Sequence, residues 1–185
     1  KKFFEEAKVR LKKIDPSGGA PQTLCDAPAP RGGTWSATGT ILFSAYAGGE
    51  IDRVPEAGGA PVKLSHLVAH GVEFFRFPSF LPDGRHFLYF DVAEDERVRG
   101  IHVGSVDSPE TKRLVGAYAS AAYAPPGYLL FRVGDRLMKQ PFDADYLPCS
   151  QPLGGFIIST KADQKSQPMA AGHTYTYPLS ILGNF

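Results

Sequence analysis

Three Gly-centred turns, each followed at once by a short apolar run, recur along this chain: Gly39 before Ile41-Leu42-Phe43, Gly84 before Phe87-Leu88-Tyr89-Phe90, and Gly127 before Tyr128-Leu129-Leu130-Phe131. A recurrence of about 40 to 50 residues, carrying strand and turn signals without helical periodicity, is the sequence pattern of propeller blades. A second series runs between the first. Ser17-Gly18-Gly19-Ala20-Pro21-Gln22-Thr23-Leu24 returns as Ala57-Gly58-Gly59-Ala60-Pro61-Val62-Lys63-Leu64, and more loosely as Ser108-Pro109-Glu110-Thr111-Lys112-Arg113-Leu114. The unit therefore reads strand, Gly turn, strand, loop, strand, Gly-Gly or Ser-Pro turn, strand. A four-stranded unit of this kind cannot bury its apolar faces alone, so neighbouring units are expected to stack and share cores.

This pattern predicts an all-β chain of 185 residues in one β-propeller domain of about four four-stranded blades. The units span about 31–67, 74–115 and 117–155. The ends, 1–28 and 156–185, are expected to complete a fourth blade: 8–14 and 21–25 supply its third and fourth strands, and Phe156 to Thr160 with His173 to Tyr177 supply the first and second. Unpaired edges and apolar faces at the two ends of an open series motivate that closure. Within the clearest unit, Pro82-Asp83-Gly84 between apolar runs is a hairpin turn with a mechanism, since Pro fixes φ and Gly accepts positive φ. The fourth strand of the last unit is placed near Tyr146 to Leu153, where Pro148 and Pro152 suit a sheet edge.

Composition narrows the function. Twenty Gly and 16 Pro scattered among 43% hydrophobic residues suit many tight turns rather than disorder. A net charge of +1 with both signs dispersed gives no electrostatic case for nucleic acid or an anionic membrane. No run of about 18 apolar residues is present, and the opening residues are charged with no apolar stretch after them. Neither a signal peptide nor a membrane span is therefore expected, and the chain as it stands reads as cytoplasmic. Cys25 and Cys149 sit in different repeats without metal-ligand spacing and read as free thiols.

Leu81-Pro82-Asp83-Gly84-Arg85-His86-Phe87-Leu88-Tyr89, followed by Ile101-His102-Val103-Gly104-Ser105 and Thr111-Lys112-Arg113-Leu114, resembles the TolB-type, WD-like β-propeller repeat. Arg31-Gly32-Gly33-Thr34-Trp35 and Ala121-Ala122-Tyr123-Ala124-Pro125-Pro126-Gly127-Tyr128-Leu129-Leu130-Phe131 are similar to propellers that follow bacterial serine/threonine kinase domains. The resemblance covers roughly 8–153 and implies a sensor propeller that binds a protein or small-molecule ligand. The chain itself carries no Gly-rich phosphate loop, His-Arg-Asp or Asp-Phe-Gly.

Two groups of residues offer chemistry. Asp91, Glu94, Asp95 and Glu96 crowd one loop, and such hard oxygen ligands suit Ca²⁺, which polarises a carbonyl in metal-assisted lactone or ester hydrolysis. The alternative is a solvated acidic loop, because the spacing matches no calcium-loop pattern. His66, His70 and Glu73 precede an innermost strand and Arg76 lies within it. Facing a channel, Glu73 or His70 would act as general base with Arg76 holding an anion; otherwise these groups face water or satisfy turns. His86 and His102 read as half-exposed strand positions. No Gly-x-Ser-x-Gly or Ser-x-x-Lys appears. The two functional expectations are thus a ligand- or protein-binding module and a Ca²⁺-assisted lactone or ester hydrolase. A symmetric homodimer of partial rings is a further possibility.

Overall fold

The computed structural model describes residues 9–46, 49–64, 67, 74–134, 136–144 and 156–159, the last four by backbone alone. These residues contain no α-helix and form four antiparallel sheets. Strands β1 (Arg10–Lys13) and β2 (Gln22–Asp26) make a two-stranded sheet. The second sheet is β3 (Gly33–Trp35), β4 (Thr40–Ser44), β5 (Ile51–Pro55) and β6 (Val62–Lys63), paired in chain order. The third is β7 (Phe75–Phe80), β8 (His86–Asp91), β9 (Gly100–Ser105) and β10 (Lys112–Val115). The fourth is β11 (Ala121–Ala124), β12 (Tyr128–Val133), β13 (Arg136–Pro141) and β14 (Phe156–Ser159).

The apolar runs after the three Gly turns become β4, β8 and β12, the second strand of each four-stranded sheet. In β4 and β8 the continuous hydrophobicity has a geometric cause, whereas β12 buries Leu129 and Phe131 and leaves Tyr128 and Leu130 half-buried. Successive side chains of a strand point to opposite faces, so a run without alternation belongs to a strand buried on both. Ile41 and Phe43 of β4 pack with Leu24 and Cys25 of β2, whereas Leu42 packs with Phe75 and Phe87 of the third sheet. Along β8 the division repeats: Phe87 and Tyr89 join the core shared with the second sheet, and Leu88 and Phe90 join Leu129 and Phe131 in the core shared with the fourth. Three apolar layers thus lie between four sheets, each layer filled from both sides.

Backbone and hydroxyl groups lock the second sheet to the third. Ser44 Oγ, fully buried, donates to the Phe75 carbonyl at 2.8 Å. Phe75 N–H donates to the Gly49 carbonyl at 3.1 Å, Phe77 N–H to the Arg31 carbonyl at 2.8 Å, and Phe80 N–H to Thr34 Oγ1 at 3.1 Å. The donors of β7 that β8 does not use are thereby taken up by the neighbouring sheet, which covers an edge that would otherwise invite pairing. The register of β7 against β8 shifts between Arg76 and Ser79, where Phe77 takes φ 55° and Pro78 has no N–H to offer a ladder. Gly32 makes room for this bulge: a Cβ there would lie 3.0 Å from Phe77 Cα.

The turn at 82–84 forms as its sequence predicts. Gly84 has φ 65° and donates to the Leu81 carbonyl at 3.0 Å, and Asp83 Oδ1 accepts from the N–H groups of Arg85 and His86, each at 3.0 Å. One assignment needs correction. Phe156 to Ser159 does not begin a closing blade; it is the outer strand of the fourth sheet, in register with β13 through Lys139↔Phe156 and Leu137↔Ile158. The Phe-Ile-Ile run supplies a donor at every residue and carries the strand-favouring side chains. The segment expected there, 146–153, lies outside the described residues, as do 160–185 and Cys149. Cys25 is a buried free thiol.

Two substitutions test this account by urea denaturation. Ser44→Ala leaves the buried Phe75 carbonyl without its donor and is expected to cost roughly 1–3 kcal/mol. Gly100 has φ 152°, and a Cβ there would sit 2.2 Å from the Val115 carbonyl oxygen. Gly100→Ala is therefore expected to cost more than about 2 kcal/mol; an unchanged midpoint for either variant contradicts the corresponding contact.

Candidate functional site

The acidic loop after β8 is folded around its own backbone. Asp91 ends the strand, is buried, and accepts from Ala93 N–H at 2.9 Å through Oδ1. Asp95 accepts from Arg97 N–H at 2.8 Å and from the Arg97 guanidinium at 2.7 Å, an arrangement that holds its carboxyl down at about 2. Glu96 Oε1 accepts from the Tyr118 hydroxyl at 3.1 Å. The Glu94 carbonyl accepts from Arg99, and Arg113 reaches across to the Glu96 and Arg99 carbonyls. Two guanidinium groups thus fasten the loop through main-chain oxygens. Asp91, Glu94, Asp95 and Glu96 are not gathered around a point: among the described residues no three His, Cys, Asp or Glu side chains are placed to hold a metal ion.

His66, His70 and Glu73 lie outside the described residues. Arg76 sits half-buried on β7 at the edge of the bulge, opposite Phe90 of β8. His102 is buried rather than half-exposed. It stacks on Tyr89 with ring centroids 5.3 Å apart, and its Nε2–H donates to the Val98 carbonyl at 2.8 Å. His86 is half-buried and meets the Asp83 carboxylate through Nδ1.

His86 also borders an open groove of about 520 Å³ on the third sheet. The start of β8, the end of β9 and the loop into β10 form its walls, through Arg85, His86, Ser105, Ser108, Glu110 and Lys112. Two solvent-exposed carboxylates beside the lining, Asp107 and Asp83, hold its donors. Asp107 Oδ1 accepts from Ser105 Oγ at 2.6 Å and from Arg85 Nε at 2.8 Å, and these bonds, Ser105 first, hold its carboxyl below the ordinary value. Burial raises the Asp83 carboxyl, but hydrogen bonds from the His86 ring and from the Arg85 and His86 N–H groups outweigh it and leave the group lowered. The volume falls within the range of small-ligand sites. Beside the Glu110 carboxylate, the rim carries guanidinium, imidazole and ammonium donors that suit a ligand bearing oxygen acceptors.

Sequence reasoning passed over Arg85, Ser105, Asp107 and Lys112. The available signal was the pair of polar clusters flanking two apolar strands, Asp83 to His86 before Phe87 and Ser105 to Asp107 after Val103. Their meeting depends on β8 and β9 being antiparallel neighbours, with His86 opposite Ser105. No protein-family model and no curated protein matches the chain. Among the described residues no helix is long and apolar enough to cross a membrane.

Lowered carboxyls set the acid response. Asp83, Asp95 and Asp107 all sit below the value of 3.8 that they would have unfolded. Between pH 4 and 2 the unfolded chain therefore binds more protons than the folded one, so stability falls as pH falls through this window. Urea melts are expected to show that loss, and Asp107→Asn is expected to lose less between pH 4 and 2 than the parent. Equal slopes would remove Asp107 from the account.

Proposed function

We propose that the chain is a segment of a β-propeller of the TolB-type, WD-like kind linked to bacterial kinases, and that it binds a ligand rather than transforming one. Serial four-stranded meanders with shared cores between successive sheets support the architecture. Such folds host both binders and enzymes, so the functional part of the reading rests on a site. The single observation that carries it is the groove on the third sheet, whose Arg85, His86 and Ser105 side chains are held in place by carboxylates outside the lining. The ligand class this favours is acidic, as a small carboxylic acid or as an acidic side chain of a partner protein. Arg85 contributes a forked donor and Lys112 a point charge.

Amide chemical shifts titrated with glutarate and with a Glu-rich peptide separate the two sources. Saturable shifts at Ser105 and Lys112, weakened at least tenfold in the Arg85→Ala, Lys112→Ala double variant, are expected for at least one of them. Absence of saturation with both refutes the groove. A panel of lactones and aryl esters, assayed with and without chelator, is expected to show no turnover. Chelator-sensitive turnover lost in Glu73→Ala or Asp91→Ala would replace this reading with the hydrolase.

A further inference from the structure

A second groove, of about 420 Å³, opens where the two-stranded sheet meets β5, bordered by Arg10, Thr23, Cys25, Asp26, Tyr46 and Asp52. Asp52 is only 7% exposed. It stands on β5 opposite Phe43 of β4 and Lys63 of β6, and strand alternation places it on the same face as Val54. Val54 packs with Leu24, Cys25, Ile41 and Phe43, so the Asp52 carboxylate emerges at the margin of an apolar core. No donor among the described residues hydrogen-bonds to it. Of the other buried ionisable side chains among the described residues, Asp91 and His102 each hydrogen-bond to a neighbour. Lys63, the cation nearest in charge effect, lies 3.8 Å from Glu50 and is largely exposed.

Burying a carboxylate without a donor is costly, and one that borders a groove is placed where a ligand can supply the missing partner. The second acid of the groove is already neutralised, since Asp26 pairs with Arg10 at 3.5 Å. The remaining carboxylate, Asp52, feels the favourable charge of Lys63 across the β5–β6 pair but receives no hydrogen bond from a described residue. We propose that this groove binds a small organic monocation, an alkyl- or aralkylammonium, whose N–H donors meet the Asp52 carboxylate. A multivalent metal ion is disfavoured by the ligand set, because no three carboxylate, imidazole or thiol groups converge among the described residues. An organic cation needs one carboxylate and an apolar or aromatic surface for its substituent. Cys25 and Ala45 supply the apolar floor, and Tyr46, 54% exposed at the rim, supplies a π-face. Burial raises the Asp52 carboxyl, and the Lys63 charge offsets that only in part. The acidic-ligand groove on the third sheet shares no residue with this one, so either proposal stands without the other.

The probes are phenethylammonium and its neutral analogue 2-phenylethanol, titrated at pH 7 into the full chain with amide shifts read by NMR. Saturable shifts at Cys25, Asp52 and Gly59 are expected with the amine and not with the alcohol. Asp52→Asn removes a buried charge to which no described donor hydrogen-bonds, so it is expected to melt no lower than the parent and to bind the amine at least tenfold more weakly. Tyr46→Ala, a rim substitution, is expected to weaken binding severalfold with the fold unchanged. No saturation with the amine, equal shifts with the alcohol, full binding by Asp52→Asn, or a lower melting temperature for that variant would each overturn the proposal.

Discussion

Face-to-face burial of the middle sheets is the constraint on which the remaining structure depends. A strand covered on one side only tolerates polar residues at every second position; β4 and β8 are covered on both and tolerate almost none. Leu42 with 0% exposure and Phe43 with 2% point to different cores from adjacent positions, and each core has a different neighbouring sheet as its second wall. Stability in such a stack is shared between neighbours rather than owned by any one sheet. The edge-on ring pair Phe75–Tyr89, with centroids 4.9 Å apart, is one place where that sharing is specific in geometry as well as apolar.

The polar groups divide by their distance from these cores. Near them, Ser44, Asp91 and His102 are each spent on a carbonyl or an N–H that the strand ladders leave over. In the loops, guanidinium groups serve the backbone: Arg99 and Arg113 hold 93–99 through carbonyl oxygens, which makes a charged segment into a fixed structural element. Acidic residues crowded in sequence are thereby separated in role. Crowding alone therefore says little about metal binding, because each carboxylate can be satisfied by a different neighbour.

Two grooves of opposite character remain. On the third sheet, exposed carboxylates beside the opening hold Arg85, His86 and Ser105 in place. Beside β5 a carboxylate itself faces the opening, with apolar residues behind it. The first arrangement presents donors and the second an acceptor. Both lie at the ends of strands, where the ladder stops and side chains are free to turn toward solvent.

The strands, their order and the Gly turns were legible in the residues because they follow from local rules: continuous apolar runs need two buried faces, and Pro-Asp-Gly dictates its own turn. The outer strand of the fourth sheet was misplaced because choosing between 146–153 and 156–159 depends on which segment can pair with β13, a contact between distant parts of the chain. His102 looked half-exposed for a similar reason, since its cover comes from Tyr89 on the adjacent strand. Neither groove could be read from spacing. Arg85 meets Asp107, and Asp52 meets no donor, only through strand pairing and sheet stacking. Sequence alone settled which segments extend and where they reverse, which are matters of backbone sterics and hydrophobic period. Tertiary structure decided which charges are compensated, because compensation depends on the distance between groups that the chain order does not specify.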